Sequence, residues 1–246
     1  MDKKLIIYSI PKCGTHFLSQ IVALLIDRNC NIYDKDELYK YVAHLTKKNL
    51  SQTINRPFFA THPKPNYLPY DKIRPLPHKK IFMVRNPLDK TISRYFYRIY
   101  YRADPQKLAM INKNLNEHIF KYCLENLKTY CNEIVTHMDM SKEIPGSVLF
   151  DYGTVFDNKK KYIRIMAEML EIPITDELVD FIYEKTDIKK CSEYESKFRS
   201  FNVGAIQNGL FFRQGGSRNY EKYLTPQEIE RLKIEIPQYL HGIYKF

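Results

Sequence analysis

The chain has 246 residues, 44% of them hydrophobic, with only 8 Gly and 13 Pro, a composition that excludes a disordered or fibrous protein and suits one sizeable α/β domain. Its formal net charge of +11, from 39 Lys and Arg against 28 Asp and Glu, fits an anionic partner; a nucleic acid, an anionic membrane surface and a polyanionic nucleotide all satisfy it. The apolar stretch Phe17 to Ile26 is only ten residues long and contains Gln20, and the run Leu5 to Ile10 is too short for a signal-peptide core, so neither a membrane span nor a leader is expected and the reading is cytoplasmic.

Residues 4–10 (KLIIYSI) are apolar and rich in β-branched side chains, which predicts a buried parallel strand. Pro11 to Thr15 read as a turn, and from Thr15 to about Arg28 the apolar residues Phe17, Leu18, Ile21, Leu24 and Leu25 recur at helical spacing. A helix is expected over 35–50 and a second strand over Phe58 to His62. Five prolines (Pro63, Pro65, Pro69, Pro75 and Pro77) then argue against regular structure. Lys80 to Val84 predicts a third strand, with Pro87 at the start of the next helix. Helix is expected over 105–140, a fourth strand over Ser147 to Tyr152, and helices near 155–171, 175–185 and 225–236. Such alternation predicts a single domain over 1–246 with a central parallel sheet flanked by helices. The five cysteines (Cys13, Cys30, Cys123, Cys131 and Cys191) form no CxxC pair and no zinc-like cluster, and are expected to be free thiols in a reducing compartment, with no metal site.

Strand, turn and helix at Pro11-Lys12-Cys13-Gly14-Thr15-His16-Phe17 make a phosphate-binding opening: helix N-terminal amides, a Gly that lets a ligand come close, and a cation. Lys12 precedes the Gly instead of following a second one, which disfavours ATP or GTP with Mg²⁺. Cys13 as a nucleophile is an alternative, but a phosphatase-like loop needs Arg where Ser19 stands. Further along, Arg85-Asn86-Pro87 closes the third strand and Ser93 follows eight residues after Arg85, on a helix beside the expected ligand crevice. Phe211-Phe212-Arg213-Gln214-Gly215-Gly216 precedes the last predicted helix, which starts near Thr225-Pro226. His62, at the end of a strand and before the proline-rich loop, has the side chain suited to take a proton from a hydroxyl near neutral pH.

Taken in chain order, these motifs resemble those of cytosolic-type sulfotransferases. PKCGTHF is similar to the family loop PKSGTTWL, RNPxDxxxSxxY matches its 3′-phosphate motif, and FRQGGSRNYE is similar to its RKGxxGxWK segment. The resemblance implies a P-loop-like sulfotransferase fold and transfer of a sulfuryl group from 3′-phosphoadenylyl sulfate (PAPS) to an acceptor hydroxyl or amine, leaving adenosine 3′,5′-bisphosphate (PAP). It implies that Lys12, Cys13, Gly14, Thr15 and His16 hold the 5′-phosphosulfate, with Lys12 also catalytic, and that Phe17 stacks on adenine. Arg85, Ser93, Phe211, Arg213, Gln214 and Gly215 then hold the 3′-phosphate end, Tyr152 and Thr186 lie near the base, and His62 in Thr61-His62-Pro63 is the general base. Departures are Ala60 for the Lys of KTHLP, Gln214 for Lys, Tyr220 for Trp, and Glu221 for Lys; Arg218 is expected to replace charge lost at Gln214. The dimerisation motif KxxxTVxxxE survives only as Glu221, Thr225, Pro226 and Glu230, so that dimer is not assumed. A P-loop kinase, a noncatalytic PAPS-binding relative and a nucleic-acid module remain as alternatives, although no nucleic-acid motif is present. The acceptor, a small molecule or a glycan, is not legible. The stripe Arg94, Arg98, Arg102 is read as a solvated helix face.

Overall fold

The structure, a computed structural model, describes residues 4–45, 56–63, 69–102, 113–198, 215–244 and 246. Strand β1 (Leu5–Ser9) is buried along its whole length. Leu5 and Ile7 enter the larger apolar cluster on one side of the sheet, while Ile6 and Tyr8 enter the smaller cluster with Phe59, Phe82, Ile73 and Ile144 on the other. A strand covered on both faces has no use for alternation, which is why its sequence is continuously apolar.

Around β1 the sheet has the order β2-β3-β1-β4-β5, all parallel, with β2 at Ala43–His44, β3 at Phe58–Thr61, β4 at Lys79–Val84 and β5 at Val148–Asp151. Helix α1 (Thr15–Ile26) follows β1, α2 (Lys35–Tyr41) precedes β2, and the short α3 (Tyr70–Ile73) precedes β4. Helices α4 (Pro87–Arg102) and α5 (Leu115–Lys142) pack together, with the buried Lys90 ammonium 2.8 Å from Glu133. After β5 come α6 (Tyr152–Asp157), α7 (Lys159–Met169), α8 (Asp176–Lys185) and α9 (Ile188–Phe198), then a 3₁₀ turn (Asn219–Lys222), α10 (Pro226–Lys233) and α11 (Gln238–His241).

The helix expected over 35–50 ends at Tyr41, and Ala43–His44 instead pairs with Phe59–Ala60 as an edge strand. Tertiary pairing outweighs helix propensity here, which is high for Ala43 and low for Val42. The fourth predicted strand is one residue shorter at each end. Asp151 accepts a hydrogen bond from the Thr154 amide as an N-cap, so Tyr152 opens α6 instead of closing the strand. The helix expected over 155–171 breaks at Asn158, and that over 105–140 is described from Leu115. All five cysteines are buried and free.

Candidate functional site

Chain order reverses beside β1. The path runs from β1 out to β2 and β3 on one side and then crosses to β4 on the other, so a crevice opens at the carboxyl ends of β3, β1 and β4. Register places Tyr8 opposite Thr61 and Ser9 opposite Met83. The residues just beyond these strands (Pro11 to Gly14, His62 and Arg85) therefore leave the sheet side by side. Chain positions far apart in sequence become neighbours through strand register alone.

The turn after β1 carries a left-handed backbone directly ahead of a helix N-terminus. Lys12 has φ 72° and Gly14 φ 94°, so the backbone bends sharply ahead of α1, with the Cys13 amide donating to the Ile10 carbonyl at 3.2 Å. No side chain caps that helix at Gly14 and its first turn holds no acidic residue, which is the kind of helix N-terminus that suits an anion. Cys13 is fully buried, and burial pushes its thiol up to about 12, against the pull of Lys90 and Arg85. The alternative of Cys13 as a nucleophile is thus not supported: a thiol that stays protonated attacks nothing. The Lys12 ammonium lies 4.8 Å from the centre of the Tyr97 ring on α4.

Arg85 and His62 grip this turn from its two sides. The Arg85 guanidinium donates to the Lys12 carbonyl at 3.3 Å and lies 4.5 Å over the Tyr152 ring. Arg85 is buried, and its Nε has no hydrogen-bond partner among the described residues. A buried guanidinium with an unsatisfied donor at the mouth of an amide-lined turn suits a phosphate oxygen. His62 donates from Nδ1 to the Ser9 carbonyl at 2.5 Å, and its Nε2 faces Nε2 of His44 at 3.3 Å. A carbonyl only accepts, so the Nδ1 of His62 carries the hydrogen and Nε2 is its basic nitrogen.

The expected base-binding side forms an aromatic wall. Phe17 meets Tyr152 edge-on at 5.9 Å and Phe156 at 5.5 Å, and the buried Lys159 ammonium lies 5.7 Å over Phe17. Lys159 donates to the carbonyls of Tyr183 (3.2 Å) and Thr186 (3.1 Å), and burial lowers its pKa. Thr186 is itself buried, with its hydroxyl donating to the Ile182 carbonyl at 2.8 Å, so its side chain serves the end of α8. Ile188 stands half-buried at the start of α9.

Asp89 draws the C-terminal segment to α4. Its buried carboxylate accepts from the Tyr220 amide at 3.0 Å, with the amides of Arg218 and Asn219 also contributing. Asn86 accepts from the amides of Leu88 and Asp89 and caps α4 ahead of Pro87, which fixes Asp89 in the first turn. Ser93 stands half-buried further along the same helix. Gly215 lies against Phe156, where a Cβ would come within 2.0 Å of the ring. Phe211, Arg213 and Gln214 lie outside the described residues. The Arg218 guanidinium pairs with Glu221 at the exposed surface. Of the basic stripe, Arg94 lies over Tyr97 and Arg98 over Tyr122.

Two residues went unnoticed in sequence. Lys159 sits in a run of three lysines that reads as solvent-facing, and His44 sits on a two-residue strand with no pattern to mark it. His44 forms a three-ring cluster with Tyr39 (5.7 Å) and His16 (6.0 Å), while burial and Lys35 lower its pKa to about 4. Burial first, and then His44 and His62, hold His16 well below its ordinary value. Among the described residues no group of three or more His, Cys, Asp or Glu is arranged to hold a metal ion, and no helix is long and apolar enough to cross a membrane.

Comparison with known proteins matches residues 2–243 to the sulfotransferase domain. Cytosolic sulfotransferase 6 of Arabidopsis thaliana is 23% identical over 268 aligned residues, covering 98% of this chain and 79% of the relative. A flavonol sulfotransferase-like protein of Flaveria bidentis is 21% identical, covering 95% of this chain and 80% of its own. Among solved structures, mouse sulfotransferase SULT7A1 complexed with PAP aligns with a TM-score of 0.66 at 17% identity, over 96% of this chain and 82% of that one. Retinol dehydratase, solved in complex with androsterone and inactive cofactor PAP, aligns with a TM-score of 0.63 at 14% identity, over 95% and 79%. The parallel sheet, the amide-lined turn after β1 and a domain match across nearly the whole length place this chain in the sulfotransferase family.

Proposed function

We propose that the chain, as one sulfotransferase domain over residues 1–246, transfers a sulfuryl group from PAPS to an acceptor hydroxyl or amine. What carries the reading is the convergence of the Lys12–Thr15 turn, His62 and Arg85 on the carboxyl ends of three adjacent strands. PAPS supplies a sulfuryl group already activated by its bond to phosphate. His62, fixed by the Ser9 carbonyl, takes the acceptor proton on Nε2 and so raises the nucleophilicity of the acceptor oxygen. Lys12 and the leading amides of α1 stabilise the charge that gathers on the departing phosphate. Arg85, Ser93 and Arg213 bind the 3′-phosphate, the group that separates this donor from ATP. Phe17, Tyr152 and Phe156 receive the adenine. Positioning and fixed charge account for catalysis, since these residues provide no covalent step.

The test is calorimetric binding of PAP against ATP-Mg²⁺, with Arg85→Ala as control. PAP is expected to bind without metal, and the substitution to weaken it by about 10–100-fold, the worth of charged hydrogen bonds to one phosphate. A preference for ATP-Mg²⁺ would overturn the reading in favour of a kinase. PAP binding with sulfuryl transfer undiminished by His62→Ala would remove His62 as the base.

A further inference from the structure

We propose that His44 is a positioning residue for the base: it shares a single proton with His62 across the Nε2···Nε2 contact and covers the basic nitrogen until an acceptor replaces it. This rests on the reading of His62 as the base. The His62 Nδ1 hydrogen is committed to the Ser9 carbonyl at 2.5 Å, which leaves Nε2 to accept. His44 Nε2 stands 3.3 Å away, with the rings crossed at 64°. Two ring nitrogens at that separation hold one hydrogen between them; two would repel, and none would leave lone pairs in contact. In the neutral pair His44 therefore donates and His62 accepts.

The surroundings keep the pair at one proton. His44 packs near-parallel to Tyr39 of α2 and to His16 of α1, which also lie near-parallel to each other at 5.9 Å. Among the described residues, the groups shown to face it include Lys35 and Tyr39 from α2, His16 from α1 and His62 from the end of β3, with Lys12 of the turn acting on His16. The charged members are cations, so each opposes a second proton, and the lowered pKa of His44 agrees with this. Protonating His62 on Nε2 requires the His44 bond to break, or His44 to move its hydrogen to Nδ1. An acceptor hydroxyl does this productively: its O–H replaces the His44 N–H at Nε2, and that same hydrogen passes to His62 as the acceptor oxygen attacks. His44 thus keeps the base unprotonated and covered between turnovers.

The experiment is nitrogen-detected NMR of ¹⁵N-histidine-labelled enzyme saturated with PAP, titrated from pH 8 to 5. The wild type is compared with His44→Phe, which keeps a flat ring without a donor, and His44→Gln, which restores a donor. His62 is expected to show the Nδ1–H tautomer and to titrate low in the wild type and His44→Gln. In His44→Phe its midpoint should rise by about one pH unit, because the hydrogen bond to the neutral form is gone. His44→Leu serves the same purpose if Phe is not accommodated. An unchanged His62 midpoint in the donor-free variants would overturn the proposal, as would an Nε2–H tautomer in the wild type. Because the readout involves no turnover, its failure leaves the base role of His62 standing, and full activity of His62→Ala leaves the shared proton standing.

Discussion

Gly14→Ala tests the physical basis of the anion turn. At φ 94° an L-residue carries about 1–3 kcal/mol of backbone strain. Its Cβ would also stand 2.3 Å from Cδ2 and 2.9 Å from Cε2 of the Tyr152 ring, and 3.2 Å from the Met83 methyl. Tyr152 is buried between Phe17, Phe156 and Arg85, so its ring must retreat by roughly 1 Å into packed neighbours, an overpacking cost of about 1–3 kcal/mol. The two terms sum to about 2–6 kcal/mol. With a urea slope of about 2–3 kcal/mol/M, the unfolding midpoint falls by about 0.7–3 M. Gly146→Ala is the internal control: Gly146 has φ 72°, but nothing lies within 4 Å of its Cβ, so this variant bears strain alone. The difference between the two variants isolates the Tyr152 contact. Displacing Tyr152 also disturbs the Arg85 guanidinium stacked on it, so Gly14→Ala is expected to weaken PAP binding measured calorimetrically, whereas Gly146→Ala is not. Equal midpoints for the two variants, together with unchanged PAP affinity in Gly14→Ala, would refute the claim that this glycine exists to let the turn pass under Tyr152.

Two more predictions concern buried titrating groups. Burial lowers the His137 pKa to about 4, against its hydrogen bond to the Tyr8 carbonyl; the native state therefore refuses a proton the unfolded chain accepts, and stability present above pH 6.5 is lost as pH falls toward 4. At about 1.4 kcal/mol per pH unit this residue alone removes about 3 kcal/mol, and urea unfolding of His137→Gln should show a correspondingly shallower acid limb. Asp89 has the opposite sign: burial raises its carboxyl pKa, so its contribution is full below the ordinary carboxylate range and lost as pH rises through the native value. Asp89→Asn, neutral throughout and still an acceptor, should therefore keep the pH 7 unfolding free energy to within about 1 kcal/mol, while Asp89→Ala strands the amides of residues 218–220 and costs about 2–4 kcal/mol.

What the sequence made legible were features set by local chemistry. Continuous apolar runs gave β1, β3 and β4, because a strand covered on both faces has no polar side to interrupt it. The Lys12–Thr15 turn and Asn86-Pro87 were visible because left-handed backbone and helix starts demand particular residues. The β2 strand was not: two residues cannot carry a period, and Ala43–His44 is a strand only because Phe59–Ala60 lies beside it. The error at Tyr152 has the same origin, since SVLFDY reads as one extended run until the Asp151 side chain takes the Thr154 amide. Lys159 was hidden by its two lysine neighbours, as burial of one member of a charge run leaves no trace in composition. The sulfotransferase assignment came from resemblance across three motifs, whereas the adjacency of their residues comes from register and had to be seen.

That adjacency has a consequence for how the two halves of the site act together. His62 and Arg85 are held by carbonyls of the same segment, Ser9 and Lys12, three residues apart at the end of β1. The groups assigned to acceptor and donor are therefore fastened to one backbone segment instead of to each other. An anion drawn onto the amides after Lys12 pulls on the carbonyls that orient both side chains, and the Arg85 bond to Lys12, long at 3.3 Å, is the contact most readily exchanged for a phosphate oxygen. Donor binding should consequently change the His62–Ser9 bond even without an acceptor, visible as a PAP-dependent shift of the His62 Nδ1–H resonance that Arg85→Ala reduces. If that resonance ignores saturating PAP, the segment is rigid, and the two side chains share an anchor without sharing a response.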